Sequence, residues 1–91
     1  MDPTRNRADY WAAQRRQARL DRDIFPIDHR IKRLRADIRK RLHHLRALKE
    51  KGYPLDHSRR LLVLLCRTLA ADRAYRKAMV RTIMGDTSRQ R

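Results

Sequence analysis

The sequence predicts an all-α fold: a small three- to four-helix bundle built around a central antiparallel helical hairpin. Apolar residues recur at steps of three and four over long stretches, the signature of amphipathic helices. No stretch shows the period-two alternation of a strand. Two glycines and three prolines punctuate the chain, each where a helix should start or stop. At 91 residues the chain fits one small domain. Its expected parts are an N-terminal helix or arm over 1–25, a hairpin core over 27–85 and a polar tail over 86–91 that frays.

The first helix is expected from about Thr4 to Asp23. Asp2-Pro3-Thr4 is a start signal, because a proline in the first turn lacks only an N–H that would have no partner there. Ala8, Trp11, Ala12, Ala18 and Leu20 make a weak apolar stripe, so this helix needs a partner surface. Ile24-Phe25-Pro26 is expected to end it, since the residue before a proline is pushed out of the α region. The second helix begins near Asp28. Ile27, Ile31, Leu34, Ile38, Leu42, Leu45 and Leu48 give it one apolar face, with Gly52 as C-terminal cap and Tyr53-Pro54 barring continuation.

The third helix is expected from Asp56-His57-Ser58, where Asp56 or Ser58 can cap free N–H groups. Leu61, Leu62, Leu65, Leu69, Tyr75, Met79, Val80 and Ile83 fit its apolar face, and Gly85 ends it. A kink or break is expected near Ala70-Ala71-Asp72. Cys66, the single cysteine, sits in the apolar run Leu61 to Cys66 and is expected to be buried and inert. It excludes an internal disulfide and a cysteine-rich zinc site. That run is far short of the ~20 residues of a membrane span, and the first twenty residues lack the apolar core of a secretory signal. Met1 to Leu20 is arginine-rich like a mitochondrial presequence, although Asp2 and Asp9 are atypical of one.

Charge is the strongest functional signal. Lys and Arg number 25 against 10 Asp and Glu, for a formal net charge of +15. Twenty of the 25 are arginine, whose planar fork grips phosphate bidentately and stacks on bases; a GC-rich genome also enriches arginine. Such self-repulsion on a small core predicts a chain that completes its stability on a polyanion or within an assembly. Along the second helix the basic residues outnumber the acidic ones ten to three, so no lattice of ion pairs can neutralise them.

Catalysis and metal binding are not expected. Adjacent His43 and His44 diverge on a helix, and His29 and His57 have no cysteine or glutamate to complete a ligand set. Asp56-His57-Ser58 spells three triad letters, but consecutive residues cannot align nucleophile, base and orienter. Gly52 and Gly85 alone cannot form a phosphate loop. No cofactor is expected.

The candidate nucleic-acid-binding residues are therefore Arg33, Arg35, Arg39, Lys40 and Arg46 on the second helix, with Lys51, Tyr53, His57, Ser58, Arg59 and Arg60 around the loop. Trp11, Phe25 and Tyr75 are assigned to packing, and Tyr53, beside Lys51 and Arg59, to a base or sugar contact. A helical protein with basic faces and few aromatic platforms suits structured RNA, which is read by shape and 2′-hydroxyl contacts.

One stretch goes further. Leu42-His43-His44-Leu45, followed by His57-Ser58-Arg59-Arg60, Leu62 and Tyr75, resembles the fifteenth small-subunit ribosomal protein family. The resemblance covers roughly Ile38 to Tyr75, under half the chain. It implies a four-helix protein on a helical junction of small-subunit rRNA, with His57 and Ser58 in close RNA contact and Arg59 and Arg60 on phosphates. The expected function is a non-catalytic, structural rRNA-binding protein of a ribosomal or mitoribosomal subunit, beside neighbouring proteins of the particle. The expected compartment is reducing, either the mitochondrial matrix or the bacterial cytoplasm. A DNA-binding, nucleoid-type protein and a basic accessory subunit of a large protein complex are the alternatives.

Overall fold

In a computed structural model, residues 3–85 form two long α-helices joined by a short turn. Helix α1 spans Pro3–Glu50 and α2 spans Asp56–Gly85. The fold is all-helical, but with two helices rather than three or four, and the four helices implied by the family resemblance are not found among the described residues. The tail 86–91 lies outside the described residues. Pro3 is the first residue of α1, as the start signal predicts.

The main departure is at Pro26, which lies inside α1 instead of ending it, so the expected first and second helices are one. An interior proline removes one backbone hydrogen bond and crowds the preceding turn, at a cost of about 3 kcal/mol. The packing around it offsets that cost. Pro26 is exposed, while Ile24, Ile27 and Ile31 on the opposite side are buried with Ile83 of α2, and Leu20, Leu69, Met79 and Val80 pack against them. Likewise Ala70-Ala71-Asp72 runs through α2 without a break.

The contact between the helices follows a 3.5-residue period. On α1 the seam is Leu20, Ile24, Ile27, Ile31, Leu34, Ile38, Arg41, Leu45 and Leu48, and every member but Arg41 is at least half-buried. On α2 it is Ser58, Leu62, Leu65, Leu69, Asp72, Arg76, Met79 and Ile83, all at least half-buried. Alternating steps of three and four are the pattern of a coiled coil. The protein is thus an antiparallel coiled-coil hairpin with three polar residues in the α2 seam.

Its turn is built as the glycine predicts. Gly52 has φ +73°, the left-handed conformation that ends a helix. Its N–H donates to Lys49 O at 3.1 Å and the Tyr53 N–H donates to Leu48 O at 3.0 Å, the paired bonds of a Schellman cap. At the start of α2 the Leu55 carbonyl accepts from Arg59 N–H at 2.9 Å, which makes Leu55 the N-cap residue in place of Asp56 or Ser58. Asp56 falls in the first turn, where a carboxylate suits the helix dipole.

Two ion pairs set the register. Arg30 donates from Nε and Nη2 to both oxygens of Asp72, at 2.9 and 2.7 Å. Arg76 donates from Nε to Asp28 Oδ1, and from Nη2 to Oδ2 at 3.4 Å. Arg30 and Asp28 lie on opposite sides of the α1 seam, so the pairs bracket it. A shift of one heptad would set both against apolar residues of α2 and lose both, a known use of polar seam residues.

Replacing Asp72 by leucine is therefore expected to raise stability while blurring register. The Asp72 side chain is 11% exposed and that of Arg30 is 59% exposed, so the abandoned guanidinium stays solvated. An apolar seam residue in place of a desolvated carboxylate should gain about 1–2 kcal/mol. Circular-dichroism melting should show a higher midpoint, and amide NMR spectra should show peak doubling from mixed registers. A lower midpoint would mean that the pair contributes net stability instead.

The molecule is a rod, 72 × 18 × 17 Å, with a radius of gyration of 20.9 Å against about 12 Å for a compact domain of this length. It exposes 8039 Å², where a compact monomer of 11.0 kDa exposes about 5,600 Å². Extending the register of the Asp28–Arg76 pair places Gly85 level with about Arg19. Roughly fifteen residues of α1, about 22 Å of helix, thus project past the described end of α2. Tyr10 and Trp11 lie on this projection in edge-to-face contact, ring centroids 5.5 Å apart, and both are exposed.

Several burial expectations need correction. Trp11, Phe25 and Tyr75 are exposed rather than packed. Cys66 is exposed too, as are Val63 and Leu64. Six consecutive residues sweep more than one full helical turn, so an apolar run of that length cannot all face one partner helix.

Candidate nucleic-acid interface

The rod has two flanks, one on each side of the seam, and they differ in chemistry. On the first, both helices line a groove of about 600 Å³ with Lys32, Arg35 and Arg39 from α1 and Arg73 and Arg76 from α2, around Asp28 and Ile31. The α1 members follow the helical repeat, so their side chains stack along one face within reach of one another. Arg73 directly follows the seam position of Asp72, which turns it onto the same flank. Arg46 and Lys49 continue the row of Lys32 and Arg39 toward the turn, so the basic stripe runs about 25 Å along α1.

Little in the groove cancels this charge. Its one carboxylate, Asp28, is held by Arg76. Among the described residues no carboxylate pairs with Lys32, Arg35, Arg39 or Arg73. Other acids are also engaged: Asp23 faces Arg22 and Arg19, and Asp21 accepts from Gln17 Nε2 at 2.9 Å. Arg30, Arg76 and Arg22 are shifted in one direction. The Asp72 carboxylate, by accepting its hydrogen bonds and then by its charge, raises the Arg30 guanidinium above the ordinary arginine range. Asp28 does the same for Arg76, and Asp23 for Arg22. A raised pKa on a base gives a contribution present below the unfolded value and lost only above it. The inter-helix pairs therefore keep their cationic partner up to strongly alkaline pH.

The eleven residues singled out from sequence separate into three exposed groups and one buried residue. Arg35 and Arg39 enter the groove, with Arg46 in line beyond it. Lys51, Tyr53, His57, Arg59 and Arg60 gather around the turn, all exposed. Arg33 and Lys40 lie on the other flank, where Arg33 lines a cleft with His29 and Arg30, and Lys40 one with Leu61 and Leu64. Ser58 is buried in the seam, 7% exposed, so the close RNA contact that the resemblance gives it is not available from this conformation. Tyr53 is 56% exposed at the turn, open to a stacking partner.

Lys32, Arg73 and Arg76 were not singled out from the sequence. The missing signal was the 3.5-residue period of α2: once Asp72 and Arg76 are placed in the seam, Arg73 must emerge beside it. Among the described residues no group of three His, Cys, Asp or Glu comes together to hold a metal, and no helix is long and apolar enough to cross a membrane. No protein-family model matches the chain, and no curated protein or solved structure matches it either.

Proposed function

We propose that this protein is a non-catalytic, structural RNA-binding component of a ribosomal or mitoribosomal subunit, or of a similar ribonucleoprotein particle. The observation that carries the reading is the groove in which Lys32, Arg35, Arg39 and Arg73 converge from two helices, while its one carboxylate, Asp28, is already held by Arg76. A solvated helix face mixes signs; this one concentrates an excess of positive charge in a concave strip, where it attracts phosphates and releases counterions. The rod shape supports the same reading, because it leaves basic surface along its length to follow an RNA backbone. Recognition would be by shape and charge, with Tyr53, His57, Arg59 and Arg60 gripping at the turn, and the particle would be an rRNA assembly in the mitochondrial matrix or bacterial cytoplasm. The likeness of His57-Ser58-Arg59-Arg60 to the ribosomal family is a further support for the turn, weakened by the burial of Ser58.

The test is affinity purification of the tagged protein from its native cells, with sequencing of bound RNA and gradient sedimentation. Co-sedimentation with a ribosomal subunit and enrichment of its rRNA is the expected result. Sedimentation apart from any RNA particle, with duplex DNA bound as tightly as structured RNA, would transfer the proposal to a nucleoid-type protein.

A further inference from the structure

The second flank has a different character. Along α2, Leu61, Leu64, Thr68, Ala71, Tyr75 and Ala78 follow steps of three and four and carry no charge, in a chain whose residues are 38% charged. Leu61 is half-buried and the rest are exposed, Leu64 by 56% and Tyr75 by 53%. Leu61, Leu64, Leu65 and Thr68 line a groove of about 480 Å³ opposite Lys40, Arg41 and His44 of α1. The outer edge of the stripe is set by Arg60, Arg67 and Arg81, which share the adjoining face of α2. An apolar strip about 26 Å long is thus bordered by cations on both sides, with Asp37 the acid at its rim.

We infer that this flank is the docking site for an acidic amphipathic helix of a partner protein, which completes a three-helix coiled coil. Such a helix would lay Leu-like residues on Leu61, Leu64, Ala71 and Tyr75 and place carboxylates toward Lys40 and Arg41 on one side and Arg60 and Arg67 on the other. That is the division of labour between core and flanking positions in a coiled coil. The strip takes a helix of about five turns. A second copy of this chain is disfavoured by the same rims, because pairing the strips would bring cations together in a molecule of net charge +15. The excess exposed surface of the hairpin is what a missing third helix would cover. The inference does not rest on the RNA reading, since the basic groove lies on the opposite flank and Arg60, beside the turn, is the one residue both readings use.

The probe is a labelled 21-residue helical peptide with Leu at the core heptad positions and Glu at the flanking ones. It is compared with a peptide of equal charge carrying Gln at the core positions, which measures attraction to net charge alone. Binding to the full chain is followed by fluorescence anisotropy. The Leu/Glu peptide should bind at least tenfold tighter than the Gln/Glu peptide. The double variant Leu64→Gln with Tyr75→Gln, both on exposed sites, should erase that difference while keeping its helical circular dichroism. The variant Arg35→Ala, Arg39→Ala, Arg73→Ala should leave the peptide affinity ratio unchanged, which separates this surface from the RNA groove. Equal affinity for the two peptides would overturn the inference, as would a ratio indifferent to the double variant. Sedimentation equilibrium showing a dimer of the free protein that the double variant abolishes would assign the face to a second copy. Displacement of the Leu/Glu peptide by RNA from the Arg35, Arg39, Arg73 variant would assign it to RNA instead.

Discussion

Replacing Arg35, Arg39 and Arg73 together by alanine is expected to weaken binding to structured RNA by roughly a hundredfold near 0.1 M salt. The basis is about 1 kcal/mol for each lost charge-assisted phosphate contact at a solvated site. The same variant should reduce the slope of log affinity against log salt by about 2–3, because fewer counterions are released. None of the three side chains is in the core, so circular dichroism and melting should stay close to those of the parent. Filter binding or anisotropy across a salt series supplies both numbers. The decisive comparison is Arg22→Ala, Arg67→Ala, Arg81→Ala, which removes equal charge from the outer faces of the two helices. If both triples cost the same, net charge alone draws the RNA and the groove has no special role.

The second large effect is on folding. Among the described residues Ile83 is the most deeply buried, 1% exposed, and packs with Ile24, Ile27 and Ile31 at the end of the hairpin far from the turn. Truncating it to alanine should cost about 2–4 kcal/mol in transfer and cavity terms. A core of this size supplies no more than roughly 3–5 kcal/mol, so the variant should lose most of its cooperative melting at room temperature. The loss should begin where Pro26 already weakens α1, because Ile83 belongs to the cluster that holds the helix across that proline. Residual helicity near the Gly52 turn, read by residue-resolved amide exchange, is the expected remnant. A cooperative transition within a few degrees of the parent would mean that the four isoleucines are not what keeps the hairpin closed. Adding structured RNA should restore part of the lost helicity, since a ligand that binds only the folded chain shifts the equilibrium toward it.

Much of this architecture is legible in the residues, and the unread parts have physical reasons. The stripe from Ile27 to Leu48 identifies most of the α1 half of the seam, Leu42 alone falling outside it and exposed, and Gly52-Tyr53-Pro54 marks the turn, because both depend on local geometry. Pro26 misleads for the complementary reason: its local preference is outweighed by isoleucines on either side that find partners 50 or more residues away. Asp72 and Arg76 fall outside the apolar stripe that spacing traces on α2, yet they sit in the seam, where each meets an opposite charge on α1. Cys66 and Val63 read as core because an apolar run suggests burial, whereas a single partner helix can cover only one side of it. Arg35, Arg39 and Arg46 are legible only within a basic set that also holds Arg33 and Lys40, which lie on the other flank. Completion of the groove by Arg73 needed the pairing of two helices, which no local pattern announces.

The projection of α1 past the end of α2 has a mechanical meaning. A helix of this length is stiff, and for much of its run it is braced by α2. Whatever engages the Tyr10–Trp11 end is therefore held at a set separation from whatever engages the Gly52 turn, about 63 Å by helical rise. The geometry is that of a ruler. Two contacts that never touch each other would be coupled through its length, and a site that offers both at that spacing would be bound with the advantage of a single tethered event. A site offering only one end gains nothing from the other. The selectivity of so plain a surface can then lie in distance rather than in any individual contact.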